Sequence, residues 1–183
     1  MKIRMERIKS KPTDAVLTGV GYDLHRLESG NGIVLCGVKI SSDKSFVAHS
    51  DGDVPIHALM DAILSALGEN DIGHFFPTDD DRYKKADSCA LLLEVLNIAK
   101  TKGYMLNNIS VSIIAQEPTL SPYIDEFKER LSKVTKISRA KIGISATTNE
   151  GIGDIGDGNA IASFAAVTLV RIKNGKNDAL SEK

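Results

Sequence analysis

The stretch Ala160–Lys173, AIASFAAVTLVRIK, carries Ile161, Ala162, Phe164, Ala165, Ala166, Val167, Leu169 and Val170 with little polar alternation. A strand that faces water on one side alternates apolar and polar residues, whereas one covered on both sides does not. This strand is therefore expected at the centre of a sheet, covered on both faces. Working back from it, Lys141 to Thr147 reads as a strand joined to it by a glycine-rich loop, and Ile109 to Ala115 alternates as another. Ala15 to Tyr22 reads as a buried strand, and Ile33 to Ile40 as a shorter strand or hairpin arm. Between the strands lie three helical periods. In Asp53 to Leu67, Asp53 can cap the N-terminus, Pro55 is tolerated in the first turn, and Ile56, Leu59, Met60, Ile63, Leu64 and Leu67 form one stripe. Asp87 to Lys102 stops at Gly103, and Ser121–Pro122 is expected to open a third helix, as N-cap and first residue, to about Lys136. The fold class is α+β: a small mixed β-sheet of about four strands with three helices on one face. Three helices cover one face at most, so the other is expected to pack against further copies of the chain.

The 183 residues suit one domain, with 42% hydrophobic and 26% charged residues. The expected organisation is a disordered basic extension over 1–14, a single domain over 15–173 and a flexible tail over 174–183. Lys+Arg of 23 against Asp+Glu of 24 leaves a net charge of −1, which offers no basic footprint for nucleic acid. No apolar run reaches the ~20 residues a bilayer needs, so no membrane partner is expected. Cys36 and Cys89 form no CxxC or disulfide framework and fit a reducing compartment. No apolar signal core follows the basic start, so a bacterial cytoplasmic location is expected, with a plastid-type transit remnant as the alternative.

Asp23 and His25 stand two apart on a strand, so their side chains share a face. His57 lies on the first helix with Asp53 and Asp61 four residues to either side. Two imidazoles and one carboxylate suit zinc with a fourth position open; ordinary histidines hydrogen-bonded to neighbouring aspartates fit the same spacing. His49–Ser50–Asp51–Gly52–Asp53 reads as a capping turn that also offers an anion site. Glu69–Gly73 and Phe76–Asp81 form an acidic loop, either solvated or holding a divalent ion with its phosphate ligand. Thr147–Thr148–Asn149–Glu150 ends a strand with hydroxyls and a carboxylate, fit for a diphosphate and magnesium or for plain turn chemistry. Gly151–Gly156 fits G-x-G-x-x-G but leads into a strand rather than a helix, which excludes a dinucleotide fingerprint.

Together these segments resemble the 2-C-methyl-D-erythritol 2,4-cyclodiphosphate synthase family of the non-mevalonate isoprenoid pathway, from about Gly19 to Arg171. The motifs are G-Y-D-L-H (21–25), A-H-S-D-G-D-V-P-I-H-A-L (48–59), D-I-G-H-F-F-P-T-D (71–79), I-I-A-Q-E-P (113–118) and A-T-T-N-E (146–150). The resemblance implies zinc, one per subunit, on Asp23, His25 and His57. It implies a CDP-linked substrate, 4-diphosphocytidyl-2-C-methyl-D-erythritol 2-phosphate, whose 2-phosphate displaces CMP to close a cyclic diphosphate. His49, Thr148 and Glu150 are the catalytic residues it implies. Glu150 would hold a second divalent cation, magnesium or manganese, with the substrate diphosphate. His49 and Ser50 would contact the substrate. Asp71, Ile72 and Gly73, with Phe76, Pro77, Thr78, Asp79 and Asp80, would line the methylerythritol end. Ala115, Gln116, Glu117, Pro118, Thr119, Leu120 and Ser121 would hold cytosine largely through backbone groups, and Thr147, Thr148, Asn149 and Glu150 the phosphates. A homotrimer with active sites between subunits is implied as well. The chain departs from the family at Thr119, where members often carry Lys, and at Asp154 and Asp157, where they carry an aromatic residue and an Arg. The competing readings are a zinc-dependent phosphohydrolase acting on a nucleotide-linked substrate and a non-enzymatic trimeric metal-binding scaffold.

Overall fold

Apolar alternation and helix caps place the elements of the computed structural model, which describes residues 16–172. The expected extension over 1–14 and the tail over 174–183 lie outside the described residues, as do Ala15 and Lys173. The order is β1 (Leu17–Ser29), β2 (Ile33–Leu35), β3 (Val38–Ile40), β4 (Lys44–Phe46), α1 (Val54–Ala66), α2 (Ile72–Phe75), α3 (Ser88–Thr101), β5 (Tyr104–Ile114), α4 (Ile124–Thr135), β6 (Ile142–Thr147), α5 (Gly153–Gly156) and β7 (Ala160–Arg171). Five strands form one mixed sheet in the order β4-β1-β7-β5-β6, with β7 at its centre. Every neighbouring pair is antiparallel except β5 and β6. Strands β2 and β3 form a separate hairpin.

The sheet has five strands where about four were expected. The fifth, β4, has three half-buried residues, too few to show a period, and pairs with the extension of β1 through Leu27 to Ser29. The third helix also differs at its start. Ser121–Tyr123 is a 3-10 turn with no side-chain cap, and α4 continues from it. The glycine loop before β7 holds a single helical turn, α5, and then the strand.

The helices cover one face of the sheet. Ile56, Leu59, Met60, Ile63 and Leu64 of α1 and Phe127 and Leu131 of α4 are buried with Ile109, Val111 and Ile113 of β5. On β7 this face takes Ile161, Ser163, Ala165, Val167 and Leu169. The opposite face is open in the single chain: Val20 is 71% exposed, Phe164 56% and Tyr22 47%, and Tyr22 packs on Phe164 with ring centroids 4.7 Å apart. Coverage of β7 on both faces, as expected from its sequence, is thus met at the strand's start, where Ala160 and Ala162 are also buried, and on the helical face alone from Phe164 onward. Among the described residues no helix is long and apolar enough to cross a membrane.

Helix α1 lies on β1 at backbone contact. A Cβ on Gly19 would sit 2.0 Å from the Ala62 carbonyl oxygen, and one on Gly21 2.1 Å from that of Ala58. Glycine is required here because any side chain would push the helix off the strand. Gly21→Ala should therefore cost about 3 kcal/mol of unfolding free energy in urea titration, at the upper end of overpacking penalties. An unchanged midpoint would show that the contact can relax freely.

Candidate active site and metal centre

The odd-numbered residues of β1 face α1, so the strand that carries Gly19 and Gly21 next presents Asp23 and His25. His57, in the first turn of α1, meets them. Its Nδ1 lies 3.0 Å from Asp23 Oδ2 and 3.2 Å from His25 Nε2, and that nitrogen is 3.0 Å from the same carboxylate oxygen. No other group of three or more His, Cys, Asp or Glu among the described residues brings its ligand atoms together in this way. A tetrahedral zinc with ligands at 2.0–2.1 Å has ligand–ligand edges of about 3.3 Å, close to these separations, and the N,N,O set suits that ion. The residues fit a metal.

Charge within the triad follows its packing. Burial pushes the Asp23 carboxyl upward, but hydrogen bonds with His25 and His57, and their nearness as charges, outweigh it and hold the group well below the ordinary carboxylate range. Burial likewise opposes charge on His57, yet Asp23, with Asp53 and Asp51 beyond it, raises its pKa above 6.5.

Neither aspartate four residues from His57 is directed to its ring. Asp53 caps α1 at Ile56 N–H and accepts from Cys36 and Gly37 N–H at 2.9 and 2.5 Å, tying the β2–β3 turn to the helix start. Burial pushes its carboxyl up to about 7; Asp51 adds to this, while the three N–H donors pull against it. Asp61 accepts from Ile72 N–H at 2.8 Å and so joins α1 to α2.

The triad opens into a cavity of about 180 Å³. His49 and Ser50 stand at it, as do Ile72, Gly73, Phe76, Pro77 and Thr78 of the expected acidic loop, with Met60, Tyr83 and Leu91 adding apolar wall. The loop's carboxylates turn elsewhere. Asp71 caps α2 at His74 N–H, Asp80 pairs with Arg82, and Asp79 is absent from the lining.

The remaining candidates gather at a second place. Thr147 O accepts from Ala115 N–H, Gln116 Oε1 from Gly151 N–H, and Glu150 Oε1 from the Thr148 hydroxyl at 2.9 Å. Glu117 and Pro118 are joined by a cis peptide, Leu120 is buried, and Pro118, Thr119 and Ser121 complete the loop above β5. Asn149 spends its amide on Ile152 O at 2.6 Å, within the turn. None of these residues lines the metal-side cavity. Asp23 is in register with Ser163, Ser163 with Ile113, and Ile113 with Ala146. Three strand spacings, about 14 Å, thus separate the two places within one chain.

Sequence reasoning missed Ser88. It is fully buried at the start of α3, 2.9 Å from His57 Nε2, and its hydroxyl donates to Asp51 Oδ1 at 2.5 Å. A serine just after an N-cap carries no signal of a partner 31 positions away.

Fold and site define an α+β domain with a candidate three-donor metal centre beside an apolar-walled cavity. Residues 16–170 match the model of the YgbB family, and the chain belongs to that family. It is 47% identical over 152 residues, 83% of this chain and 93% of the other, to the 2-C-methyl-D-erythritol 2,4-cyclodiphosphate synthase of Moorella thermoacetica. Among solved structures it resembles the bifunctional IspDF of Campylobacter jejuni (33% identity, TM-score 0.85), covering 88% of this chain but 44% of that one. It also resembles the Plasmodium falciparum IspF in complex with CDP (31% identity, TM-score 0.77, 88% of this chain and 99% of that one).

A metal ion at the triad must displace the proton that Asp23 favours on His57. Zinc binding to the metal-free protein should therefore release protons at mildly acidic pH and tighten as pH rises. Calorimetry in buffers of different ionisation enthalpy gives the count. Binding without proton release would contradict the assigned charge state.

Proposed function

We propose that the chain is a cyclodiphosphate synthase of isoprenoid precursor biosynthesis, a phosphorus–oxygen lyase that forms 2-C-methyl-D-erythritol 2,4-cyclodiphosphate and CMP. Residues 15–173 would be its single synthase domain. The observation that carries this is the meeting of Asp23, His25 and His57 at the mouth of the apolar-walled cavity. The name of the Moorella relative and the CDP in the Plasmodium structure support the substrate class.

In the reaction, an oxygen of the substrate's 2-phosphate attacks its β-phosphorus. The bond to the oxygen bridging the α and β phosphates breaks, and CMP leaves with that oxygen. The nucleophile is already an anion, so no strong base is needed; the difficulty is to bring two phosphates together against their repulsion. Asp23, His25 and His57 would hold zinc and Glu150 magnesium or manganese, and these ions would supply Lewis-acid neutralisation of the diphosphate. Ile72, Gly73, Phe76, Pro77 and Thr78 enclose the methylerythritol end and exclude water, which would otherwise compete as nucleophile. His49 and Ser50, at the metal side, contact the reacting phosphates. Residues Ala115 to Ser121 receive cytosine through backbone groups, and Thr147, Thr148 and Asn149 orient the diphosphate.

The two groups of residues lie about 14 Å apart along one sheet, too far to act on one phosphorus. The open face with Val20, Tyr22, Leu24 and Phe164 supports a homotrimer in which one subunit's metal side meets its neighbour's phosphate side. The free, buried thiols of Cys36 and Cys89 support a reducing, cytoplasmic setting.

Phosphorus NMR of the protein with the CDP-linked substrate should show cyclic diphosphate and CMP; free phosphate in their place would favour a phosphohydrolase. In Glu150→Gln, turnover should fall about 10²-fold with zinc retained, whereas near wild-type turnover at saturating magnesium would remove Glu150 from the mechanism. Sedimentation equilibrium should give a trimer of the 19.7 kDa chain, and Phe164→Asp should dissociate it. A stable wild-type monomer at micromolar concentration would contradict the assembly.

A further inference from the structure

We propose that Ser88 and Asp51 are positioning residues that hold His57 with its proton on Nε2 and its Nδ1 lone pair directed to the metal. This rests on the reading of Asp23, His25 and His57 as a metal centre. The Asp51 carboxylate grips Ser88 twice: Oδ1 accepts from the hydroxyl at 2.5 Å and Oδ2 from the backbone N–H at 3.0 Å. An ionised carboxylate only accepts, so the single hydroxyl proton of Ser88 is committed to Asp51. Toward His57 Nε2, 2.9 Å away, Ser88 Oγ is left with lone pairs alone. Nε2 must then carry the proton.

The opposite tautomer has its own support. Ser50 Oγ lies 3.2 Å from the same Nε2 and could donate to it, leaving the proton on Nδ1 to point at Asp23 Oδ2. That arrangement would close the ligand position. In the neutral, metal-binding ring Ser88 disfavours it, because its contact is shorter, fully buried and charge-assisted through Asp51. The chain Asp51–Ser88–His57 also crosses three segments, the 49–53 loop, α3 and α1, and so fixes the ring plane as well as the proton. A group that hydrogen-bonds the far nitrogen of a ligating histidine raises its basicity, and losing such a group typically costs 10–100-fold in metal affinity.

The test uses the full chain and zinc alone, titrated against a chromogenic chelator. His57→Ala should lose the site; retention of zinc there would overturn the metal-centre reading itself. Ser88→Ala should bind zinc about 10–100-fold more weakly, and Ser88→Thr, which keeps the hydroxyl, should recover most of the affinity. Asp51→Asn, whose amide can donate to Ser88 and turn its proton toward His57, should also weaken binding and provides the test if Ser88→Ala does not fold. A merely structural role would leave the imidazole proton untouched. In nitrogen-15 NMR of the zinc-loaded protein, the His57 Nε2–H should exchange slowly in wild type and rapidly in Ser88→Ala. Wild-type zinc affinity in Ser88→Ala or Asp51→Asn, with the site lost in His57→Ala, would overturn the relay and leave the metal centre standing.

Discussion

The close approach of α1 to β1 sets everything that follows in this molecule. With Gly19 and Gly21 beneath it, the helix rests on the strand's backbone, and the next two inward positions carry Asp23 and His25. Helix height decides whether His57 reaches them: a displacement of one methyl group would open gaps of 3.0–3.2 Å beyond ligand spacing. Asp53 fixes the remaining freedom, rotation of the helix about its axis, by holding the α1 N-terminus and the Cys36–Gly37 turn with one buried carboxylate. Glycines set the distance and the cap sets the angle. The catalytic geometry is thus a packing property before it is a chemical one.

The sheet then acts as a spacer. Strand β7 stands between the metal side on β1 and the hydroxyl-rich loop beyond β5 and β6, and its register keeps both at the same end of the sheet. Within one chain they cannot touch. The face that would bring copies together is the one left bare by the helices, and it holds the aromatic pair Tyr22 and Phe164. Assembly and activity are therefore linked on the proposed reading: the surface that needs burial and the site that needs completion are satisfied by the same partner.

Much of this was legible in the sequence where a local rule applied. The D-x-H spacing on a strand, Asp53 before an apolar period, and the unbroken run of β7 each depend on neighbours within a few residues. Elements that depend on distant partners were not. Strand β4 exists because β1 runs on to Ser29, and three residues cannot announce a pairing. Ser121 looked like a cap, but the chain enters α4 through a 3-10 turn that leaves its hydroxyl unused. Asp61 shares a helical face with His57 by spacing, yet Ile72 N–H, brought in by the following loop, takes its carboxylate. Ser88 became visible only once α3 and the 49–53 loop were packed together. The motifs of the family placed residues near one another; the hydrogen bonds decided which of them meet.

Complementation between two inactive variants tests the composite site most directly. His57→Ala damages only the metal side and Glu150→Gln only the phosphate side, so on the proposed trimeric assembly neither variant alone should turn over substrate at an appreciable rate. After subunit exchange in an equal mixture, some interfaces join an intact metal side to an intact phosphate side. For random assembly with one site per interface, about a quarter of wild-type activity should return. A mixture as inactive as its components, with exchange verified by mass spectrometry, would contradict sites shared between subunits.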